Sequence, residues 1–125
     1  MYCLDSSAII EIFCNSEEGK TISSLIDNYP TRVTSFSIFE LLRGMKKHEE
    51  EAIEKFFKEA EVIEFDYQAA IKSFEIEKKL KSEGNLINIT DIFITGTCLS
   101  KGLILITCDK DFSKIKGLTI KLVGK

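Results

Sequence analysis

The chain has no tryptophan, one proline and one histidine among its 125 residues, and each scarcity removes a class of explanation. The single histidine, His48, lies in the charged segment KKHEEE, and the four cysteines (Cys3, Cys14, Cys98, Cys108) contain no C-x-x-C pair. A zinc site therefore lacks its usual ligand spacing. No apolar run is long enough for a membrane span, because Asp, Glu, Lys or Gly interrupts every one. There is no basic segment ahead of the acid at position 5, which argues against a secretory leader and for a cytoplasmic protein. Cys3, Cys98 and Cys108 sit inside apolar runs and read as small buried hydrophobes in a reducing compartment. Basic surplus is missing too: 17 Lys and Arg stand against 20 Asp and Glu, for a net charge of −3. That excludes a protein that holds nucleic acid by charge alone, though not an enzyme with an ion-loaded acidic pocket beside a local basic patch.

What is present is an ordinary globular composition, 44% apolar and 30% charged, on a chain long enough to bury its own core. Repeats, low-complexity segments and Gly/Ser linkers are lacking, so residues 1–125 are expected to form one domain. Short strands are expected at MYCL, RVTS, VIEF, LILIT and TIKLV. Helical periodicity marks SSAIIEIF, EEGKTISSLIDNY up to Pro30, FSIFELLRGM, HEEEAIEKFFKEAE, YQAAIKSFEIEKKLKSEG and TDIFITGTCLSKG, with one helical turn at DFSKI. Strands of four or five residues separated by helices call for an α/β fold: three layers, α/β/α, around a mainly parallel sheet. Ligands of such sheets bind outside the carboxyl ends of the strands.

Acidic residues accumulate at that edge. Asp5 ends the first strand, Asp109 follows the fourth, Asp91 opens a helix, and Glu40 lies within the helix after the second strand. Each has an ordinary alternative. Asp5 and Asp109 could be helix caps, and Asn88 with Asp91 a capping box. Glu40 could pair with Arg43. It falls, however, among Phe36, Ile38, Phe39, Leu41, Leu42 and Met45, on a helix expected to be buried nearly all round, where a carboxylate needs a partner. Two carboxylates about 5 Å apart repel by roughly 3 kcal/mol at an effective dielectric near 20. A divalent cation removes that cost, and oxygen ligands without histidine or thiolate select Mg²⁺ or Mn²⁺.

The segments YCLDSSAIIEIF, TSFSIFELLRG and NITDIFITGTCLSKGLILITCDKDF resemble the successive blocks of the PIN domain, in particular of the VapC-like toxins of type II toxin–antitoxin pairs. The resemblance runs from Tyr2 to about Val123. It implies a Mg²⁺- or Mn²⁺-dependent endoribonuclease with Asp5, Glu40, Asp91 and Asp109 in its site, Asp5, Asp91 and Asp109 being the metal ligands. It further implies supporting roles for Asp111, Ser7 and Thr107, a homodimer, and a cognate antitoxin that covers the acidic groove. The chain departs from the family pattern in having DSS where DTN is more frequent and Gly96 where alanine is usual.

On this reading Glu40 orients or deprotonates the attacking water, or completes the coordination shell. RNA is steered by Arg43, Lys46 and Lys47, with Lys78, Lys79 and Lys81 as further candidates; a solvated helix face explains each equally well. Three rivals compete. A PIN-type RNA-processing nuclease would share the site without a toxin role. A phospho-receiver domain would use Asp66 as acceptor but lacks the paired acids after the first strand. A haloacid-dehalogenase-type phosphatase needs an aspartate where Ser7 stands.

Overall fold

Strand β1 (Tyr2–Leu4) lies at the centre of a five-stranded parallel sheet ordered β3-β2-β1-β4-β5, with β2 at Arg32–Thr34, β3 at Glu61–Ile63, β4 at Ile104–Thr107 and β5 at Ile120–Leu122. The computed structural model describes residues 1–124. Helices α1 (Ser6–Cys14), α2 (Glu17–Ile26), α3 (Ser35–Gly44), α4 (Glu50–Glu59), α5 (Tyr67–Ser82) and α6 (Ile89–Lys101) cover the sheet. Short 3-10 turns occupy Lys47–Glu49 and Lys110–Lys114. The expected three-layer α/β class is therefore found.

The period of two along a strand divides the core between the two faces. Cys3 and Leu105 enter one cluster with Ile76, Leu80, Ile92 and Cys98 from α5 and α6. Their neighbours Leu4 and Ile106 enter the other, with Ala8, Ile9, Ile22 and Leu41 from α1, α2 and α3. Cys3 and Cys98 are fully buried free thiols, as expected, whereas Cys108 is only half-buried and Cys14 is exposed.

The sheet order itself has a consequence. The chain builds outward from β1 through β2 to β3, then crosses back to lay β4 on the other side of β1. The crevice between β1 and β4 is thus the topological switch point, where open α/β sheets bind ligands. A phospho-receiver uses the order 2-1-3-4-5, so this topology removes that rival.

Two expectations need correction. Helix α2 stops at Ile26 rather than running to Tyr29, because a residue preceding proline is pushed out of the helical region; a turn from Tyr29 N–H to the Ile26 carbonyl closes the end. Helix α3 is not buried nearly all round: Phe39 is 58% and Leu42 44% exposed, since only one side of α3 meets the core.

Gly96 permits the tight packing of α5 on α6. A Cβ there would lie 2.0 Å from Ser73 Oγ and 2.8 Å from the Ala69 carbonyl oxygen. The second contact is with backbone, which cannot swing away. Gly96→Ala is therefore expected to destabilise the fold by about 1–3 kcal/mol, with Ser73→Ala restoring only part of the loss. Denaturant unfolding of the two single variants and the double variant measures both numbers.

Candidate active site

Parallel pairing of β1 with β4 places Leu4 beside Ile106, so the next residues, Asp5 and Thr107, emerge together at the carboxyl edge. Asp5 is 3% exposed. Its Oδ1 accepts from Ser7 Oγ at 2.7 Å and from the Ala8 N–H at 3.0 Å, and its Oδ2 accepts from Thr107 Oγ1 at 2.5 Å. Asp5 is thus both the N-cap of α1 and a member of the acidic edge. The two readings of this residue were not alternatives. Burial raises its pKa above the ordinary carboxylate value, against the pull of those three hydrogen bonds, and the charge of Asp109 pushes the same way.

Ser7 and Thr107 form a bracket around this carboxylate. Their oxygens lie 3.3 Å apart, but each hydroxyl carries one proton, and the shorter contacts to Asp5 take both. As acceptors they receive backbone donors instead. Cys108 N–H reaches Ser7 Oγ at 3.0 Å, and Asp109 N–H reaches Thr107 Oγ1 at 2.9 Å. The bracket therefore fixes the start of the loop that carries Asp109. That residue in turn caps the turn Lys110–Lys114, its Oδ1 accepting the Asp111 N–H at 2.9 Å.

Asp91 stands in the first turn of α6, which Asn88 caps through the Thr90 N–H at 2.9 Å. Among the described residues no hydrogen bond reaches its carboxylate. Its pKa is raised to about 7, first by burial and then by the charges of Asp109, Glu40, Asp5 and Asp111. The charges of four other acids, from three other parts of the chain, thus act on Asp91. No cation appears among the causes. The five are gathered but not closed into a shell: among the described residues no group of three or more His, Cys, Asp or Glu side chains is arranged to hold a metal ion.

Glu40 is half-buried, and its Oε1 accepts from Ser6 Oγ at 3.1 Å. Ser6 was missed in the sequence. The signal was the doubled serine of DSS, in which neighbouring hydroxyls on α1 serve different acids, Ser7 on Asp5 and Ser6 on Glu40. The alternative pairing of Glu40 with Arg43 is not seen among the described residues; the Arg43 guanidinium lies over the Phe39 ring at 5.3 Å, where a cation meets the ring quadrupole. Lys46 lines the same cavity as Glu40, whereas Lys47, Lys78, Lys79 and Lys81 are exposed. Asp66, the rival phosphoacceptor, caps α5 and pairs with Lys101 at 2.5 Å, which holds its pKa below the ordinary value.

A carboxylate set of this kind suits a hard divalent cation. All its donors are oxygens, and a dication would offset both the burial and the like-charge repulsion that lift Asp91.

Comparison with known proteins identifies the family. The PIN domain family model matches residues 2–118. The chain is 30% identical over 126 residues to a tRNA(fMet)-specific endonuclease VapC of Salmonella typhimurium, covering 96% of each. It is 29% identical over 123 residues to ribonuclease VapC1 of Methanocaldococcus jannaschii, covering 87% of this chain and 90% of that one. Among solved structures, the DNA-bound VapBC of Salmonella typhimurium superposes with a TM-score of 0.83 at 27% identity over 96% of each chain. VapBC-1 of nontypeable Haemophilus influenzae gives 0.82 at 26% identity, covering 97% of this chain and 96% of that one. With a family model that matches residues 2–118, the chain belongs to the PIN domain family.

Proposed function

We propose that the chain acts as a single-domain endoribonuclease dependent on Mg²⁺ or Mn²⁺, and that it is the toxin of a toxin–antitoxin pair, held in check by a VapB-like antitoxin and active as a homodimer. The observation that carries the nuclease reading is the convergence on Asp91 of four other carboxylates at the β1–β4 switch point. The names of the relatives support RNA as substrate, and the solved VapBC assemblies support an antitoxin.

Asp5, Asp91 and Asp109 would hold the ion, with Glu40 beside them. A divalent ion bound there supplies charge neutralisation and Lewis acidity toward the phosphate and the attacking water. The chain's own residues do the rest. Ser7 and Thr107 hold the Asp5 carboxylate in one orientation with both hydroxyl protons committed to it. Asp109 is carried by a loop that the same two hydroxyls anchor, and Asp111 secures the turn through its N–H. Glu40, oriented by Ser6, would accept a proton from the attacking water at Oε2, the oxygen that Ser6 leaves free.

The testing experiment is incubation of the purified protein with structured and single-stranded RNA in Mg²⁺, Mn²⁺ or EDTA. Cleavage is expected with either ion and none with EDTA. Thr107→Val, which keeps the shape and removes the hydroxyl, is expected to lower the cleavage rate by about 10- to 100-fold, the usual effect of losing a group that orients a ligand. Cleavage in EDTA at the Mg²⁺ rate would refute the metal-dependent mechanism.

A further inference from the structure

Helices α1, α3 and α4 leave between them a cavity of about 210 Å³ with Ile10, Phe13, Met45 and Ile53 in its walls and Glu40 and Lys46 on its polar side. We propose that this cavity receives one base of the RNA substrate, next to the phosphate being cut. The inference rests on the ribonuclease reading and adds to it where the substrate lies.

Continuity with the acidic centre is the first argument. Glu40 lines the cavity and accepts a hydrogen bond at 3.1 Å from Ser6, the residue that follows Asp5, so the cavity adjoins the proposed ion site through this side chain. A strand whose phosphate sits at the acids has its neighbouring nucleoside within reach of this opening. Size is the second argument. Pockets for drug-sized ligands run from about 300 to 1,000 Å³, so this one suits a single flat ring system rather than a larger ligand.

Wall chemistry supplies the third argument. Phe13 is 38% and Ile10 48% exposed, so apolar surface already faces the opening. The Phe13 ring meets Phe56 edge-on, at 5.5 Å and 70°, which fixes its orientation and leaves a face for stacking. Lys46 is the cation of the lining. Its backbone N–H is held by Glu49 Oε1 at 2.7 Å, so the carboxylate of Glu49, also in the lining, is engaged and the ammonium is left for a phosphate. The acids themselves attract no anion, so the substrate's charge must be met from a flank such as this. Stacking on an aromatic face favours no particular base, and this part of the site is expected to be tolerant of sequence.

The test compares steady-state cleavage of a short RNA, and of the same RNA made abasic on either side of the cut, by the wild type, Phe13→Ala and Phe13→Tyr with Mg²⁺. Loss of one stacked base costs about 5- to 150-fold in affinity. The expected result is a KM about 10-fold higher for Phe13→Ala with kcat little changed, restoration by Phe13→Tyr, and no difference between the enzymes on one of the two abasic substrates. An unchanged KM for Phe13→Ala overturns the proposal. So does a variant altered only in its inhibition by an antitoxin peptide, which would give the cavity to a peptide instead. Should Phe13→Ala fail to fold, seen as a collapsed thermal midpoint, Phe13→Leu makes the same comparison. A wild type that cleaves none of the RNAs overturns the ribonuclease reading itself, which is a different failure from cleavage indifferent to residue 13.

Discussion

Asp5→Asn is expected to fold normally and to cleave RNA at least about 100-fold more slowly than the wild type in saturating Mg²⁺. The size follows from the residue's position. Loss of a group that merely orients a ligand costs about 10- to 100-fold, and loss of a proposed ligand costs more. Folding survives because asparagine caps helices as well as aspartate does, and its Oδ1 can still accept the Ala8 N–H. The amide also fills the same space between Ser7 and Thr107. A drop in activity with an unchanged melting temperature therefore separates chemistry from stability. Activity equal to the wild type would remove Asp5 from the site, and the geometry built on it would fall with it.

The second large effect concerns Asp91 and runs opposite to the usual behaviour of a paired carboxylate. Its pKa is 3.8 in the reference state and about 7 in the folded chain. Between those values the folded protein keeps a proton that the unfolded chain has released. Stability is then fullest below about pH 4 and falls as pH rises towards 7. Asp5, also displaced upward, contributes in the same direction. At about 1.36 kcal/mol per pH unit the full displacement of Asp91 amounts to roughly 4 kcal/mol, which partial exposure and screening by solvent reduce to about 1–2 kcal/mol. Without added metal, Asp91→Asn is expected to melt several degrees above the wild type at pH 8 and close to it at pH 4.5. Mg²⁺ is expected to reverse the ranking at pH 8, because an ion present at about 100 times its Kd stabilises the wild type by about 2.7 kcal/mol and the variant by less. Thermal melts at pH 4.5, 6 and 8, with EDTA and with Mg²⁺, decide the matter. Parallel curves for the two proteins would mean that Asp91 lies apart from the other charges.

The part of this site that was legible in the sequence is the part governed by chain order. Asp5 and Asp109 each follow a short apolar strand, and a parallel sheet sends the ends of such strands to one edge. Asp91 was readable because the first turn of a helix is a fixed place. Less was legible where side-chain direction decides. Arg43 could have met Glu40 from three residues away, yet its guanidinium turned to Phe39. Ser6 and Ser7 look equivalent in DSS, but successive residues on a helix point about 100° apart and so serve different carboxylates. The burial of α3 was overestimated because six apolar neighbours suggest enclosure, whereas the sheet offers a helix one face only. The departure at Gly96 was visible as a letter, and only the approach of Ser73 and Ala69 explains it.

The central claim is that Asp5, Asp91 and Asp109, from three parts of the chain, hold one cation, with Glu40 beside it. Titration of isotope-labelled protein with substoichiometric Mn²⁺, followed by paramagnetic broadening of assigned amide signals, tests it most directly. The expected result is early loss of signals from residues 5–7, 40, 91 and 107–111, reversed by excess Mg²⁺, while the exposed Glu59 and Glu61, at the opposite, amino edge of the parallel sheet, stay sharp. Broadening centred on Glu59 and Glu61, or spread evenly over the surface acids, would contradict it.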